Sequence, residues 1–241
     1  MDDIIILGQQ RTGSNLLCYA LSFFENYRNI NEFYSVDNNT FIYELFFTHE
    51  ERTQLFEIYN TSDWKKLLYK IHKEPIKSFN ILSKIVGNQN KIIKLLDHQF
   101  QRNKKLYSLI DISTKFIVLE RSNTLEQFVS LKIAEETDTW WNQNTDQIQI
   151  TVNIDEYQNF CQNKKAYYEN LKLQLKDKSY LLINYEEDLA AGISDSLLLK
   201  LQKFLNDSSK IIRKDKTKIK KQNTLNCFDK ITNYNEIKKY L

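Results

Sequence analysis

The sequence predicts an α/β fold with a central parallel sheet and helices on both of its faces. Three stretches predict this fold, at residues 3–20, 90–100 and 115–134, because each begins with a short apolar run that leads into polar and helical sequence. Continuous apolar runs are typical of parallel strands that are buried on both faces. Alternating strands and helices therefore indicate a layered sheet. A chain of 241 residues is long enough for one large core, so we expect a single domain over residues 1–241.

The first of these stretches reads DIIILGQQRTGSNLLCYA and predicts a strand, a tight loop and a helix. Gly8 and Gly13 allow the backbone of the loop to approach a ligand closely. Backbone N–H groups at the start of a helix, together with the helix dipole, favour an anion such as a phosphate. The stretch therefore predicts a phosphate site between the strand and the helix.

The glycine spacing matches the nucleoside triphosphate loop G-x-x-x-x-G-K-[ST], but the lysine is missing. Ser14 and Asn15 stand in the last two positions of that pattern, and the cation of the loop is Arg11. A loop without the phosphate-binding lysine disfavours a kinase or an NTPase. A nucleotide kinase or NTPase with a divergent loop remains the alternative.

The next polar element, NINEFY at residues 29–34, contains Glu32 as its ionisable residue. The pattern alone favours a solvated loop acid. Residues 37–86 show little strand character and predict helices, which we expect to form a helical insertion on the acceptor side of a site.

The stretch at residues 90–100, NKIIKLLDHQF, predicts a buried strand beside the first one. Lys94 interrupts its apolar run. Because an unpaired buried ammonium is costly, this lysine indicates a strand end or a paired site. His98, at the end of the strand, is a candidate acid/base group or a surface residue.

The stretch at residues 115–134, KFIVLERSNTLEQFVSLKIA, again predicts a strand, a turn and a helix. Arg121 ends the strand, and Ser130 follows nine residues later on the same helical face as Gln127. The arginine fork binds phosphate through two hydrogen bonds and keeps its charge. In isolation, the same residues fit a surface ion pair and an unliganded helix serine.

The last third contains a further strand at residues 179–190 and a basic run at residues 210–221 that could bind one anionic ligand. The acids that follow this strand are expected to support the fold. Trp140 and Trp141 fit either a ligand wall or the anchor of a long loop.

Composition excludes several classes of protein. A net charge of +3 is too small to indicate a nucleic-acid binder. The acidic N-terminus lacks a signal-peptide pattern and no run reaches the ~20 apolar residues of a membrane span, so we expect a cytoplasmic protein without a transmembrane segment. Cys18, Cys161 and Cys227 show no metal-ligand spacing, so disulfides and metal sites are not expected.

Residues 11–17, RTGSNLL, resemble the 5′-phosphosulfate loop of sulfotransferases that use 3′-phosphoadenosine 5′-phosphosulfate (PAPS), in particular the R-T-G-S-x-L-L loop of the bacterial trehalose-sulfotransferase type. Four further features are similar to that family: the E-F-Y element at residues 32–34, the pair Arg121 and Ser130 with its Q-x-x-S-L tail, the strand ending in Y-E-E-D-L at residues 185–189, and the K-Q-N segment at residues 221–223. The family's G-x-K element matches loosely at Lys94, with Asn90 in the place of the glycine.

The resemblance implies a three-layer P-loop-like fold and transfer of a sulfuryl group from PAPS, released as 3′,5′-ADP, to a hydroxyl of a carbohydrate or glycolipid without a metal. It implies that Glu32 is the general base, with Lys94 close to the transferring group; His98 stays open as the alternative base. The implied cofactor-binding residues are Arg11, Thr12, Gly13, Ser14, Asn15, Arg121, Ser130, Lys220, Lys221 and Gln222. Arg11 replaces a lysine of many sulfotransferases, which removes a proton donor to the leaving oxygen. A non-catalytic nucleotide-binding relative is a further alternative, and the oligomeric state is left open.

Overall fold

The computed structural model describes residues 3–35, 41–112, 115–140, 144–208, 211–212 and 226–240. Within these residues, five strands form one sheet in the order β2-β3-β1-β4-β5, and every neighbouring pair is parallel. The strands are β1 (Ile4–Gly8), β2 (Tyr27–Asn31), β3 (Asn90–Leu96), β4 (Lys115–Glu120) and β5 (Tyr180–Asn184). The prediction of a parallel α/β sheet is confirmed.

Helices connect and cover these strands. They are α1 (Ser14–Leu21), α2 (Phe41–Phe46), α3 (His49–Ile58), α4 (Trp64–Lys73), α5 (Pro75–Val86), α6 (Asp97–Arg102), α7 (Thr124–Thr137), α8 (Ile154–Gln174), α9 (Asp195–Leu205) and α10 (Tyr234–Ile237). The segment Lys104–Asp111 is a 3-10 helix, and Tyr185–Leu189 is a single π-helical turn that follows β5. The predicted helices of residues 41–86 correspond to α2–α5.

Alternating side chains of the strands build two separate layers of core. Ile5, Leu7 and Val118 point to one face, where they pack with α2–α5, Phe100 of α6 and α8. Ile6 and Leu119 point to the other face, where they pack with α1 and α9. Because helices cover both faces, the fold has three layers, and a strand buried on both sides reads as a continuous apolar run.

The strand order places β1 at the centre of the sheet. From β1 the chain moves by way of α1 to β2 and β3 on one side, and it later crosses to β4 and β5 on the other side. The connections thus diverge around the carboxyl end of β1. In open α/β sheets this switch point leaves the crevice in which ligands bind.

A third apolar cluster covers α7, which starts directly after β4. Leu125, Phe128 and Val129 of α7 pack against Ile150 and Ile231. The backbone N–H of Ile150 donates to the carbonyl of Lys230 at 2.8 Å. The C-terminal residues 226–240 are therefore held beside the helix that carries Ser130.

No helix among the described residues is both long enough and apolar enough to cross a bilayer.

Candidate functional site

The loop between β1 and α1 lies at the switch point of the sheet. Gly13 precedes the first helical residue with φ 87°, and Arg11 has φ 62°, so the loop makes two left-handed backbone turns. No side chain caps the start of α1. The hydroxyl of Thr12 donates to the carbonyl of Gln9 at 2.8 Å and closes the loop on itself. The first turn of α1 thus presents the kind of N–H cluster that binds an anion.

The two glycines of the loop are required by close packing as well as by conformation. A Cβ atom at Gly13 would lie 2.6 Å from Cδ2 of Tyr185, whose ring covers the loop. A Cβ atom at Gly8 would lie 2.9 Å from the carbonyl oxygen of Leu119 in β4. Both distances are shorter than real carbon contacts. The loop therefore sits against the ends of β4 and β5.

Arg11 and Ser130, which the sequence assigns to opposite ends of a ligand, contact each other directly. Nε of Arg11 donates to Oγ of Ser130 at 3.0 Å, and an Nη atom of Arg11 donates to the carbonyl of Trp140 at 2.6 Å. The predicted loop and the predicted helix site thus form one cluster, although 119 residues separate the two side chains in sequence.

Arg121 lies against the same loop. One of its Nη atoms donates to the carbonyl of Arg11 at 2.9 Å, and the other lies 3.0 Å from Oε1 of Glu126. The guanidinium stands 4.4 Å above the centre of the Tyr185 ring. Nε of Arg121 is buried and has no hydrogen-bond acceptor in the described part of the chain; the nearest acid, Glu186, is 3.7 Å away.

Two largely buried guanidinium groups in one place create a positive site. Burial and the neighbouring charge of Arg121 together lower the pKa of Arg11 to about 10, against a smaller opposite effect of Tyr185. A bound anion would offset burial and the repulsion from Arg121, because its negative charge replaces the favourable interactions that a guanidinium loses when it leaves water. The electrostatics of the cluster therefore favour an anionic ligand.

The turn that carries Arg121 is fixed by two further side chains. Glu186 accepts hydrogen bonds from the backbone N–H groups of Ser122 at 2.8 Å and Asn123 at 3.1 Å. Lys164 of α8 donates to the carbonyl of Arg121 and to the hydroxyl of Thr124. Glu186, one of the acids expected to support the fold, thus holds this turn and also lies at the edge of the cationic cluster.

A second cluster forms on the other side of β1. Nζ of Lys94 lies 2.8 Å from Oε1 of Glu32 and donates to Oδ1 of Asn15 at 2.7 Å. Lys94 is 2% exposed and is paired with Glu32, so it is the buried, paired lysine that the interrupted apolar run predicts. The amide of Gln99 donates to Oε2 of Glu32 at 3.2 Å. The carboxylate of Glu32 is thus linked through Lys94 to the first turn of α1.

A chain of polar contacts crosses the ends of β3 and β1 between these clusters. Nε2 of Gln9 donates to Oδ2 of Asp97 at 2.9 Å, and Nε2 of Gln127 donates to the carbonyl of Gln10 at 2.9 Å. Burial raises the pKa of Asp97, while its bond from Gln9 acts in the opposite direction. Asp97 is therefore a second carboxylate at the same edge of the sheet as Glu32.

Of the residues predicted for the site, Arg11, Thr12, Gly13, Ser14, Asn15, Glu32, Lys94, Arg121 and Ser130 are brought to this edge of the sheet. His98 lies in the first turn of α6, where its backbone N–H donates to Asp97. Lys220, Lys221, Gln222 and Trp141 lie outside the described residues. Among the described residues, no group of three or more His, Cys, Asp or Glu side chains could hold a metal ion.

Sequence reasoning missed Gln9, Gln99 and Tyr185 as parts of the site. Uncharged amides and a tyrosine carry no spacing signature, and each contacts the site across a gap in sequence. The available signal was their position, since all three stand at or just beyond the carboxyl end of a strand. In a parallel sheet those ends share one edge.

Comparison with known proteins gives little beyond this geometry. No protein-family model matches the chain, and no curated protein matches it. Among solved structures, the chain is similar to the sulfotransferase domain from the Synechococcus PCC 7002 olefin synthase, at 15% sequence identity and a TM-score of 0.46, over 86% of this chain and 73% of that chain. A likeness this distant does not bear on function.

Proposed function

We propose that this chain is a single-domain sulfotransferase that moves a sulfuryl group from PAPS to a hydroxyl of a carbohydrate or glycolipid and releases 3′,5′-ADP. The observation that carries the proposal is the convergence of two strand-to-helix turns on one cationic cluster. Ser130, in the helix that follows the second turn, is hydrogen-bonded to Arg11 of the first turn, and Arg121 donates a hydrogen bond to the backbone of that loop. Two turns that each favour a phosphate suit a ligand with phosphates at both ends.

The donor set of the cluster fits PAPS in its chemistry. The loop offers backbone N–H groups, two left-handed turns and a guanidinium. The turn after β4 offers a second guanidinium with a buried Nε, and α7 offers the hydroxyl of Ser130. Arg11 and the start of α1 at residues 13–15 would hold the phosphosulfate. Arg121 and Ser130 would hold the 3′-phosphate. We propose a nucleotide contact for Lys220, Lys221 and Gln222 on their resemblance alone.

The second cluster suits the acceptor. When bound, PAPS supplies an activated sulfuryl group on its 5′-phosphate. Glu32, which is one-fifth exposed, would take the proton of the acceptor hydroxyl. Lys94 touches both Glu32 and the first turn of α1, so its charge lies between the base and the phosphosulfate loop. Arg11 and Lys94 would stabilise the negative charge that develops between them.

Helices α2–α5, which make up most of residues 37–86, would form the acceptor side. They are tied to the segment that follows Glu32 by three hydrogen bonds. The hydroxyl of Tyr34 donates to the carbonyl of Pro75 at 2.8 Å, the hydroxyl of Tyr43 donates to the carbonyl of Phe33 at 2.6 Å, and Nε2 of His72 lies 2.9 Å from the carbonyl of Ser35. An acceptor that contacts these helices is thereby coupled to the position of Glu32.

A thermal-shift titration tests the nucleotide class. We expect 3′,5′-ADP to raise the unfolding temperature without magnesium, because a ligand that binds the folded state stabilises it. Stabilisation only by Mg-ATP or Mg-GTP would contradict the proposal and favour the kinase or NTPase alternative.

Incubation with sulfur-labelled PAPS and cell extract tests the reaction and identifies the acceptor from the labelled product. We expect label on a hydroxyl of a glycan or glycolipid. Tight binding of 3′,5′-ADP without transfer to any acceptor would favour a non-catalytic relative.

A further inference from the structure

Gln99 is a fully buried amide on α6 whose two ends have different partners. Its Oε1 accepts the backbone N–H of Leu96 at 3.0 Å, and its Nε2 donates to Oε2 of Glu32 at 3.2 Å. Its side chain is 0% exposed, so water cannot replace either bond. A buried amide of this kind holds its partners in place because losing one leaves a polar group unpaired.

The bond to Leu96 decides which way the amide points. Only the side-chain oxygen of Gln99 can accept a hydrogen bond from the backbone N–H of Leu96, so the NH2 group of Gln99 must face Glu32. An NH2 group donates, and an ionised carboxylate only accepts. Gln99 therefore donates to Oε2 of Glu32 and fixes the direction of this carboxylate oxygen.

Lys94 binds the other carboxylate oxygen, Oε1, at 2.8 Å, so the two oxygens of Glu32 are held from different directions. Lys94 is itself held by Asn15, and Gln99 by the end of β3. Both supports belong to regular secondary structure. Lys94 and Gln99 leave some lone pairs of the Glu32 carboxylate unused. The Glu32 side chain is one-fifth exposed.

We propose that Gln99 is a positioning residue that orients the carboxylate of Glu32 toward the acceptor hydroxyl. This inference rests on the proposed sulfuryl transfer. Gln99 touches neither ligand in this scheme and acts only through Glu32. A base misplaced by an ångström loses rate without loss of ligand binding.

Two variants separate this role from simple packing. Gln99→Met removes both polar atoms at similar volume, and Gln99→Glu keeps an acceptor for the backbone N–H of Leu96 while it replaces the amide donor with a second carboxyl group beside Glu32. We expect kcat to fall by up to about 100-fold in both variants, with the KM for PAPS and the affinity for 3′,5′-ADP unchanged. If Gln99→Met does not fold, Gln99→Glu carries the test.

A double-mutant cycle with Glu32→Gln gives the decisive comparison. If Gln99 acts through Glu32, then Gln99→Met should cost no further activity once Glu32 is replaced. Gln89→Met, at an exposed glutamine that donates to the carbonyl of Glu25, is the matched control. An additive cycle, a loss of PAPS binding as large as the loss of kcat, or a loss equal to that of the control overturns the role of Gln99. A wild-type chain that transfers no sulfuryl group overturns the proposed function instead, and this inference with it.

Discussion

The clusters on the two sides of β1 differ in how their charges are balanced. On the β3 side, Glu32 and Lys94 form one ion pair whose carboxylate Gln99 also binds. On the β4 side, Arg11 and Arg121 lie together, and their groups are engaged by the Ser130 hydroxyl, by backbone carbonyls and by Glu126. In the first cluster, the carboxylate is held by two donors. In the second, an anion would compete with protein acceptors for most of the guanidinium donors, whereas the buried Nε of Arg121 has no acceptor among the described residues.

This difference predicts that the two clusters fail in different ways. Changes on the β3 side should lower the rate of the chemical step, because its groups are already in place and only need to react. Loss of a donor on the β4 side should weaken nucleotide binding, because the donors of Arg11, Arg121 and Ser130 would bind the phosphate oxygens. Rate and affinity, measured separately, therefore test the comparison.

The largest effect is expected for Glu32→Gln. Loss of the general base should lower kcat by about 10² to 10⁴, while the affinity for 3′,5′-ADP stays nearly the same. Steady-state sulfuryl transfer and calorimetric titration measure the two quantities. The control is Glu25→Gln, at an exposed acid two residues before β2. Activity within severalfold of the wild type would remove Glu32 from the mechanism and leave His98 or Asp97 as candidates for the base.

Arg121→Ala should weaken the binding of PAPS and 3′,5′-ADP by about 2 to 3 kcal/mol, from the loss of a charge-assisted pair. The measurement is calorimetric titration of both nucleotides. Arg102→Ala, at an exposed arginine, controls for the loss of one positive charge. Because Arg121 also supports the loop through the carbonyl of Arg11, the unfolding temperature must be followed in parallel. Unchanged affinity for both nucleotides would show that Arg121 only supports the loop.

The lowered pKa of Arg11 predicts a pH dependence of nucleotide binding. Burial and the charge of Arg121 lower this pKa to about 10, so the guanidinium is charged below that pH and becomes neutral above it. The affinity for 3′,5′-ADP should be steady up to about pH 9. It should then fall by up to about tenfold for each pH unit above 10.

Calorimetric titration between pH 8 and pH 11 measures this dependence at constant ionic strength. The Arg11→Ala variant should bind more weakly and lose this part of the dependence. An equal fall in the wild type and in Arg11→Ala would assign the effect to other groups.

The smallest effect is expected for Glu126→Gln. Its carboxylate competes with a phosphate for an Nη atom of Arg121, so its neutralisation should tighten the binding of 3′,5′-ADP by about two- to fivefold. Glu135→Gln, on the same helix and paired with Lys132, is the control. Weaker binding in Glu126→Gln would mean that Glu126 orients Arg121 for the ligand and does not compete with it.

The parallel sheet could be predicted because its signal is local. Isoleucine and leucine runs at β1, β3 and β4 are buried on both faces, and each leads into polar sequence and a helix at the switch-point edge. The short strand β2 was less clear. Its sequence, Tyr27–Asn31, is mostly polar, and it lies at the edge of the sheet, where one side needs no apolar cover.

The contacts within the site were predictable only in part. A loop residue such as Arg11 and a helix residue such as Ser130 can be placed at the same edge of a parallel sheet from their positions after two strands. Nothing in the sequence pattern shows that Arg11 and Ser130 form a hydrogen bond at 3.0 Å. Nor does it show that Glu126 forms an ion pair with Arg121. Those contacts depend on rotamers that the surrounding packing selects.

By itself, the sequence determined the helix–sheet–helix layers, the two strand-to-helix turns after β1 and β4, and the need of Lys94 for a buried partner. Apolar runs, glycines and interrupted patterns are local, and local physical chemistry fixes what they become. Only the tertiary structure decided that this partner is Glu32, that Gln99 holds its other oxygen, and that Tyr185 closes over Gly13. These contacts join residues that are dozens of positions apart, and the strand order and register bring them together. No local feature of a sequence shows which distant side chain the fold will place beside a given residue.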